Sequence, residues 1–275
     1  MTNLFNYIER ESPVHRLTGA TKFICLVLWT FAAMSSYDPR LLGLMGLLSV
    51  VLFRLSKITV KDVSFLLGFT VVFMVMNNVL VFLFSPQHGV SLYGTKHELF
   101  KIAGNYVVTS EQLFYHLNLV LKYIATIPIV IIFVSTTNPS EFAASLNKIG
   151  VKYSVAYSVA LALRYIPDIQ REYHSISQAQ QARGIELSKK EPLFRRLKNA
   201  SSILIPLILG GMDRIETVSN AMELRGFGKN KKRTWYMARP FGKADYAAMT
   251  VTGLLFAAAF VLNAMNGGRF FNPFI

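Results

Sequence analysis

Two stretches of the chain, 63–85 and 246–268, run for 23 positions each without a charged residue. At ~1.5 Å per residue each makes a helix of about 34 Å, enough to cross a hydrocarbon core of about 30 Å. Two shorter apolar stretches, 23–37 and 41–53, share the turn Asp38-Pro39-Arg40. They predict a tight transmembrane hairpin whose ends run into the interface. A fourth candidate covers 113–136 and contains Lys122. That ammonium is expected to snorkel or to face a protein partner rather than to move an ion. The pattern therefore predicts five spans.

Between 138 and 245 the pattern changes. The apolar runs 153–163 and 199–212 are too short to span, and each reads as part of a helix lying along or below the membrane. Pro139 opens a helix over 140–148, with Gly150 as its stop. Pro167 is expected to open a second helix, ending at Arg183-Gly184, and Pro192 a third, ending at Arg225-Gly226. The third carries a stripe of Leu193, Leu197, Ser201, Leu204, Ile208, Gly211, Ile215, Val218 and Met222. Every step in it is three or four residues, so these positions share one face. Pro206 should kink this helix. Small residues at Ser201, Ser202, Gly210 and Gly211 suit a close crossing with another helix. The fold class is an all-α integral membrane protein. Membrane helices occupy 1–138, a domain of three amphipathic helices 139–244, and a last transmembrane helix 245–275.

Composition agrees and adds an orientation. Of 275 residues 52% are hydrophobic and 16% charged, yet the net charge is +14. Soluble domains are nearer a quarter charged. Arg10, Arg16 and Lys22 precede the first span, and Arg54, Lys57 and Lys61 lie between the second and third. The segment 86–112 is nearly neutral, with Lys96 and Lys101 against Glu98 and Glu111. By the positive-inside rule the amino terminus and the basic insertion face the cytoplasm, and 86–112 and the carboxyl terminus lie outside. Lys229, Lys231, Lys232 and Arg233 are expected to meet lipid head groups. The polar start, 1–10, argues against a cleavable signal peptide. Cys25, the single cysteine, lies in an apolar run and reads as a buried, inert thiol.

The sharpest signal is a repeat. Ser177-Gln-Ala-Gln-Gln-Ala-Arg-Gly184 aligns with Ser219-Asn-Ala-Met-Glu-Leu-Arg-Gly226 at an offset of 42, with Ser, Ala, Arg and Gly identical in register. Gly suits the left-handed position past a helix, and Arg in the last turn opposes the negative end of the dipole. Helix capping would account for one such ending. Two copies in one basic insertion point instead to docking, because a guanidinium is a rigid fork matched to a carboxylate. They suit a two-fold partner or two similar subunits.

Other chemistry is thin. No P-loop pattern occurs, and histidines 15, 88, 97, 116 and 174 have no metal-ligand spacing. Asn77-Asn78 in the third span reads as a pair of amides bonding neighbouring helices. No zinc-finger spacing or free basic helix supports nucleic acid as a partner. A secondary transporter would need repeats and mid-membrane ionisable groups, which are missing apart from Lys122.

The order Ser12-Pro13-Val14-His15-Arg16-Leu17, Thr21-Lys22, Leu161-Ala-Leu-Arg-Tyr-Ile-Pro167, Ala182-Arg183-Gly184 and Ala221-Met-Glu-Leu-Arg-Gly-Phe-Gly228 resembles the transmembrane T component of energy-coupling factor transporters. These import vitamins and metal ions into prokaryotes. The second signature departs in reading Leu224-Arg-Gly. The resemblance implies a place in the prokaryotic plasma membrane and two partner ATPase subunits, which would bind ATP and Mg and leave this chain without cofactor or catalysis. Their docking residues would be Ala182, Arg183, Gly184, Leu224, Arg225 and Gly226. It further implies one small substrate-binding membrane subunit, packed on the coupling helices at Leu204, Ile208, Gly211 and Ile215. An ordinary ABC permease that forms the substrate path itself is the alternative.

Overall fold

The computed structural model describes residues 10–103, 106–185, 192–229, 234–235 and 239–274. Contacts divide it into one unit of Met1–Asn138 with Arg239–Ile275, and a second of Pro139–Ala238. Lys231, Lys232 and Arg233 of the basic cluster lie outside the described residues, as do positions 1–9.

The first unit opens with α1 (Pro13–Arg16), capped by the Ser12 hydroxyl accepting the His15 N–H. Then come α2 (Gly19–Ser35) and α3 (Pro39–Leu55), with Thr18 and Asp38 as N-caps. Next follow α4 (Ser64–Phe84), the short α5 (His88–Tyr93), and an antiparallel hairpin of β1 (Glu98–Ala103) and β2 (Tyr106–Thr109). The unit closes with α6 (Ser110–Thr136) and, after the second unit's α7 (Pro139–Lys148), α8 (Tyr153–Ala182) and α9 (Leu193–Leu224), with α10 (Lys243–Met265). The all-α membrane class holds, with β1–β2 the one sheet among the described residues. Helices α4, α6 and α10 are long and apolar enough to cross a bilayer. At 17 residues each, α2 and α3 reach only about 25 Å.

Helix α6 is the post of this unit. Pro128 lies inside it and has no N–H to donate to the carbonyl of Ile124 one turn back. Ser49 of α3 stands at that place, its hydroxyl proton shared between Ile124 O and Gly46 O of its own helix, both at 2.8 Å. Trp29 of α2 donates Nε1–H to the next carbonyl, Ala125 O, also at 2.8 Å. The two arms of the expected hairpin therefore part: α3 packs chiefly on α6, and α2 on α10 and α6. The hairpin is not tight because each arm carries a donor for a different carbonyl of the same helix.

Two lysines close helix ends. Lys22 is buried and donates to Thr136 O, the last carbonyl of α6, at 2.8 Å. Lys122, also buried, donates to Met34 O near the end of α2 and lies 3.2 Å from the centre of the Tyr37 ring. Its ammonium is thus met within the chain. A cation at a helix carboxyl end opposes the dipole and fills lone pairs that lipid cannot. Asn78 of α4 meets His116 of α6 at 2.8 Å, so that amide joins helices as expected. Buried Asp245 accepts the N–H groups of Thr18 and Gly242, both at 2.8 Å, tying the start of α10 to that of α2.

The segment 86–112 is built rather than open. Buried Glu111 accepts from Thr95 Oγ1 and the His97 N–H, and its carboxylate meets the His97 ring at 2.7 Å. A side chain at Gly89 would strike the backbone of Glu111 and Gln112 at 2.6 Å. Tyr93 is packed by Phe114, Phe270 and Phe274, and burial pushes its phenol up to about 12. By contrast α4 has no fully buried residue and meets α6 along one side only, leaving most of its apolar surface exposed.

Replacing Ser49 by Ala should leave the Ile124 carbonyl without its donor and destabilise the chain by about 1–2 kcal/mol. In a Pro128→Ala background the restored N–H takes that carbonyl, and Ser49→Ala should become nearly neutral. Denaturant unfolding in micelles reads both; equal losses in the two backgrounds would contradict the arrangement.

Candidate functional site

The second unit holds α7, α8 and α9. Helix α8 begins at Tyr153, so Pro167 lies inside it and does not open it. An interior proline removes one hydrogen bond, and the turns before it are held by packing. Ala156 is fully buried, and the rings of Tyr153 and Tyr157 pack in tilted contact with Phe227 and Trp235 at centroid distances of 4.8–6.3 Å. Trp235 in turn donates to Asn147 Oδ1 at 3.1 Å. Helix α9 starts as expected after Pro192 and keeps Pro206 inside.

Helices α8 and α9 run antiparallel. Gln180 meets Ser202, Glu172 pairs with Arg214 at 2.8 Å, and Tyr157 meets Phe227 at 4.8 Å, so the partner number falls on one helix as it rises on the other. Gly210 lets the helices approach: a Cβ there would stand 3.0 Å from Glu172 Oε1. From this crossing Arg183 lies about 16 Å along α8 and Arg225 about 22 Å along α9, in opposite directions, at ~1.5 Å per residue.

The two ends have one geometry. Arg183 and Arg225 are the C-caps, at φ −84°, ψ 7° and φ −83°, ψ 9°. The Gly184 N–H bonds Gln181 O at 2.9 Å and the Ile185 N–H bonds Gln180 O at 3.1 Å. In the other copy Gly226 bonds Glu223 O at 2.8 Å and Phe227 bonds Met222 O at 2.9 Å. Both are Schellman endings, with glycine at φ 85° and 65°. Helix α7 ends the same way at Gly150, φ 105°, but its cap is Ile149. The glycine turn is thus shared by three helices, and the arginine distinguishes two of them.

Ala182, Arg183 and Gly184 are exposed, as are Leu224 and Arg225, with Gly226 half-buried. Leu224 is 90% exposed, an apolar knob beside a guanidinium. Beneath the α9 end lies a groove of about 380 Å³, lined by Tyr157, Arg164, Tyr165, Asp168, Arg225 and Phe227 among others. Asp168 is taken by Arg171 at 2.7 Å, so the balance in the groove is cationic. The repeat thus sets the two arginines apart, at opposite ends of the helix pair.

Leu204, Ile208 and Ile215 share an exposed face of α9 with Ile205, Leu209 and Met212, and Gly211 is half-buried beside them. The face that packs within the unit is another, carrying Ile203 at 2% exposure, Gly210 and Arg214. Sequence reasoning missed Glu172, Arg214 and Gln180; opposite charges on two helices with apolar faces were the available signal for the first pair.

The family model described as cobalt transport protein, CbiQ, matches residues 10–236, which takes in both arginine ends. This chain belongs to the CbiQ family. Its relatives include the energy-coupling factor transporter transmembrane protein EcfT of Leuconostoc gelidum subsp. gasicomitatum, 29% identical over 88% of this chain and 90% of the relative. Proteins of the same description from Limosilactobacillus fermentum and Bacillus selenitireducens are 24% and 27% identical. They align over 93% and 95% of this chain and 95% and 97% of their own lengths. The motif resemblance therefore extends across nearly the whole chain. This CbiQ-family chain is a membrane component of a transporter and not a member of an enzyme family.

At Gly184 a methyl group would meet no atom within 4 Å beyond its chain neighbours, so the left-handed φ alone resists a side chain. Gly184→Ala should weaken the ending by about 1–2 kcal/mol, and Gly184→Asn by less, since asparagine tolerates this region. Hydrogen exchange at the Gly184 and Ile185 amides reads the loss; unchanged protection in Gly184→Ala would contradict the assigned turn.

Proposed function

We propose that this chain is the coupling subunit of an energy-coupling factor importer of vitamins or metal ions in a prokaryotic plasma membrane. Two ATPase subunits dock at its arginine tips, one at Ala182-Arg183-Gly184 and the other at Leu224-Arg225-Gly226. A separate small membrane subunit binds the substrate and packs on Leu204, Ile208, Gly211 and Ile215. ATP and Mg are held by the ATPases, and this chain needs no cofactor. The amino terminus and the three-helix unit face the cytoplasm.

The observation that carries the reading is two identical helix endings, each with Arg at the C-cap, facing opposite ways from an antiparallel pair. A partner with two equivalent acidic grooves calls for that spacing. Each tip extends beyond the crossing on its own helix, so closure of the ATPases would displace both ends and shift the crossing between them. The exposed apolar face of α9 supports the second contact: Ile208 is 59% and Ile215 68% exposed, a surface suited to an apolar membrane partner. An ordinary ABC permease would form the substrate path itself, and purification from native membranes separates the two. The coupling reading expects ATPases together with a small substrate-binding protein.

Arg183→Glu or Arg225→Glu should cut ATP-driven uptake severely while the chain still inserts and keeps its small membrane partner. Breaking one side of a desolvated ion pair costs about 2–5 kcal/mol, and the double reversal should release the ATPases. Lys at either position rescues in part, since it lacks the planar fork. A capping role alone is worth about 0.3–1 kcal/mol. Near-normal uptake and ATPase pull-down with Glu at both positions would overturn the proposal.

A further inference from the structure

Pro206 interrupts α9 and has no N–H for the carbonyl of Ser202, one turn earlier. That carbonyl is not left without a donor. Gln180 reaches across from α8 and donates Nε2–H to Ser202 O at 3.0 Å. Gln180 is also part of the α8 ending, where its own carbonyl accepts the Ile185 N–H that closes the turn behind Arg183. One residue thus joins the arginine tip of α8 to the carbonyl that Pro206 frees in α9. Its backbone oxygen fixes the tip, and its side chain fills the vacancy the proline leaves.

The second copy lacks the side-chain amide. At the matching position stands Met222, which lines the groove with Tyr157 and Phe227. The two tips share a backbone turn and differ in what anchors them. The α9 tip rests on an aromatic surface at the start of α8. The α8 tip is held by a directed hydrogen bond to a weak point of α9. Packing tolerates sliding, whereas an amide-to-carbonyl bond to a proline-freed oxygen is set by distance and angle.

We propose that Gln180 is a positioning residue that locks the Arg183 tip to the break that Pro206 leaves in the hydrogen-bond ladder of α9, so that displacement of this tip bends α9 rather than swinging α8 alone. The bend would fall next to Leu204 and Ile208, the exposed face assigned above to the substrate-binding subunit. The proposal rests on that reading for what pushes the tip, while the lock itself belongs to this chain.

Spin labels at exposed Gln178 and Thr217, in a Cys25→Ala background, measure the separation of the two helices. In the purified full chain in micelles, a single narrow distance is expected. Gln180→Met, which places the second copy's residue here, should widen it at least twofold. Gln180→Lys, which keeps a donor of similar reach, should leave it narrow. An equally narrow distance in Gln180→Met, or equal widening with Lys, overturns the lock. In the complex with its ATPases, Mg-ATP with orthovanadate should shift the distance as one population in the parent and in Gln180→Lys. In Gln180→Met at least half of that shift should be lost, and a full shift there overturns the transmission role. Failure of the ATPases to join even the parent chain would instead count against the proposed function, and the micelle measurement would still decide the lock.

Discussion

A proline inside an α-helix releases the carbonyl one turn before it, and in an apolar surrounding that oxygen must find a donor from another element. At two of the three helix-interior prolines among the described residues, a side chain from a neighbouring helix supplies that donor. Pro128 of α6 releases Ile124 O, which Ser49 of α3 takes. Pro206 of α9 releases Ser202 O, which Gln180 of α8 takes. In both places a break in one helix becomes the docking point of another. The same demand governs helix ends, where Lys22 fills Thr136 O and Lys122 fills Met34 O. Apolar packing between membrane helices has little directional preference. These bonds therefore do much to decide which helix lies on which.

The second unit follows the same logic at its ends. Schellman turns satisfy two carbonyls near the end of each of α7, α8 and α9 internally, so those need no partner. What remains to be explained is the side chain at each cap. The cap of α7 is Ile149, whereas Arg183 and Arg225 place guanidinium groups at two exposed positions facing opposite ways. An exposed arginine against a helix dipole gains little, and Leu224 beside it has nothing to gain from water. The pairing of charge, exposed leucine and repetition supports a role in contact with other chains. The wide apolar face of α9 supports the same view from another side.

Much of this was legible from residue pattern. Charge-free runs located α4 and α10, the three- and four-residue stripe located α9, and glycine marked where α7, α8 and α9 stop. The repeat at offset 42 proved to be a repeat of hydrogen bonds as well as letters. What was not legible depended on distant partners. Pro167 reads locally as a helix start, but aromatic contacts from Phe227 and Trp235 carry α8 back to Tyr153. The α2–α3 hairpin reads as closed because its turn is short, yet Trp29 and Ser49 draw its arms to adjacent carbonyls of α6. Lys122 reads as an oddity in a span until Met34 O and the Tyr37 ring are beside it. Gln180 is one amide among several, and only the missing N–H of Pro206 singles it out.

The central claim is that the two arginine tips sit in two separate ATPase subunits. Photo-crosslinking amino acids at Ala182 and at Leu224, in native membranes, test it most directly. The account predicts that each position captures an ATPase subunit, and that a chain carrying both captures two at once. Capture of lipid alone, of the small substrate-binding subunit at both positions, or of a single ATPase by both tips would contradict it.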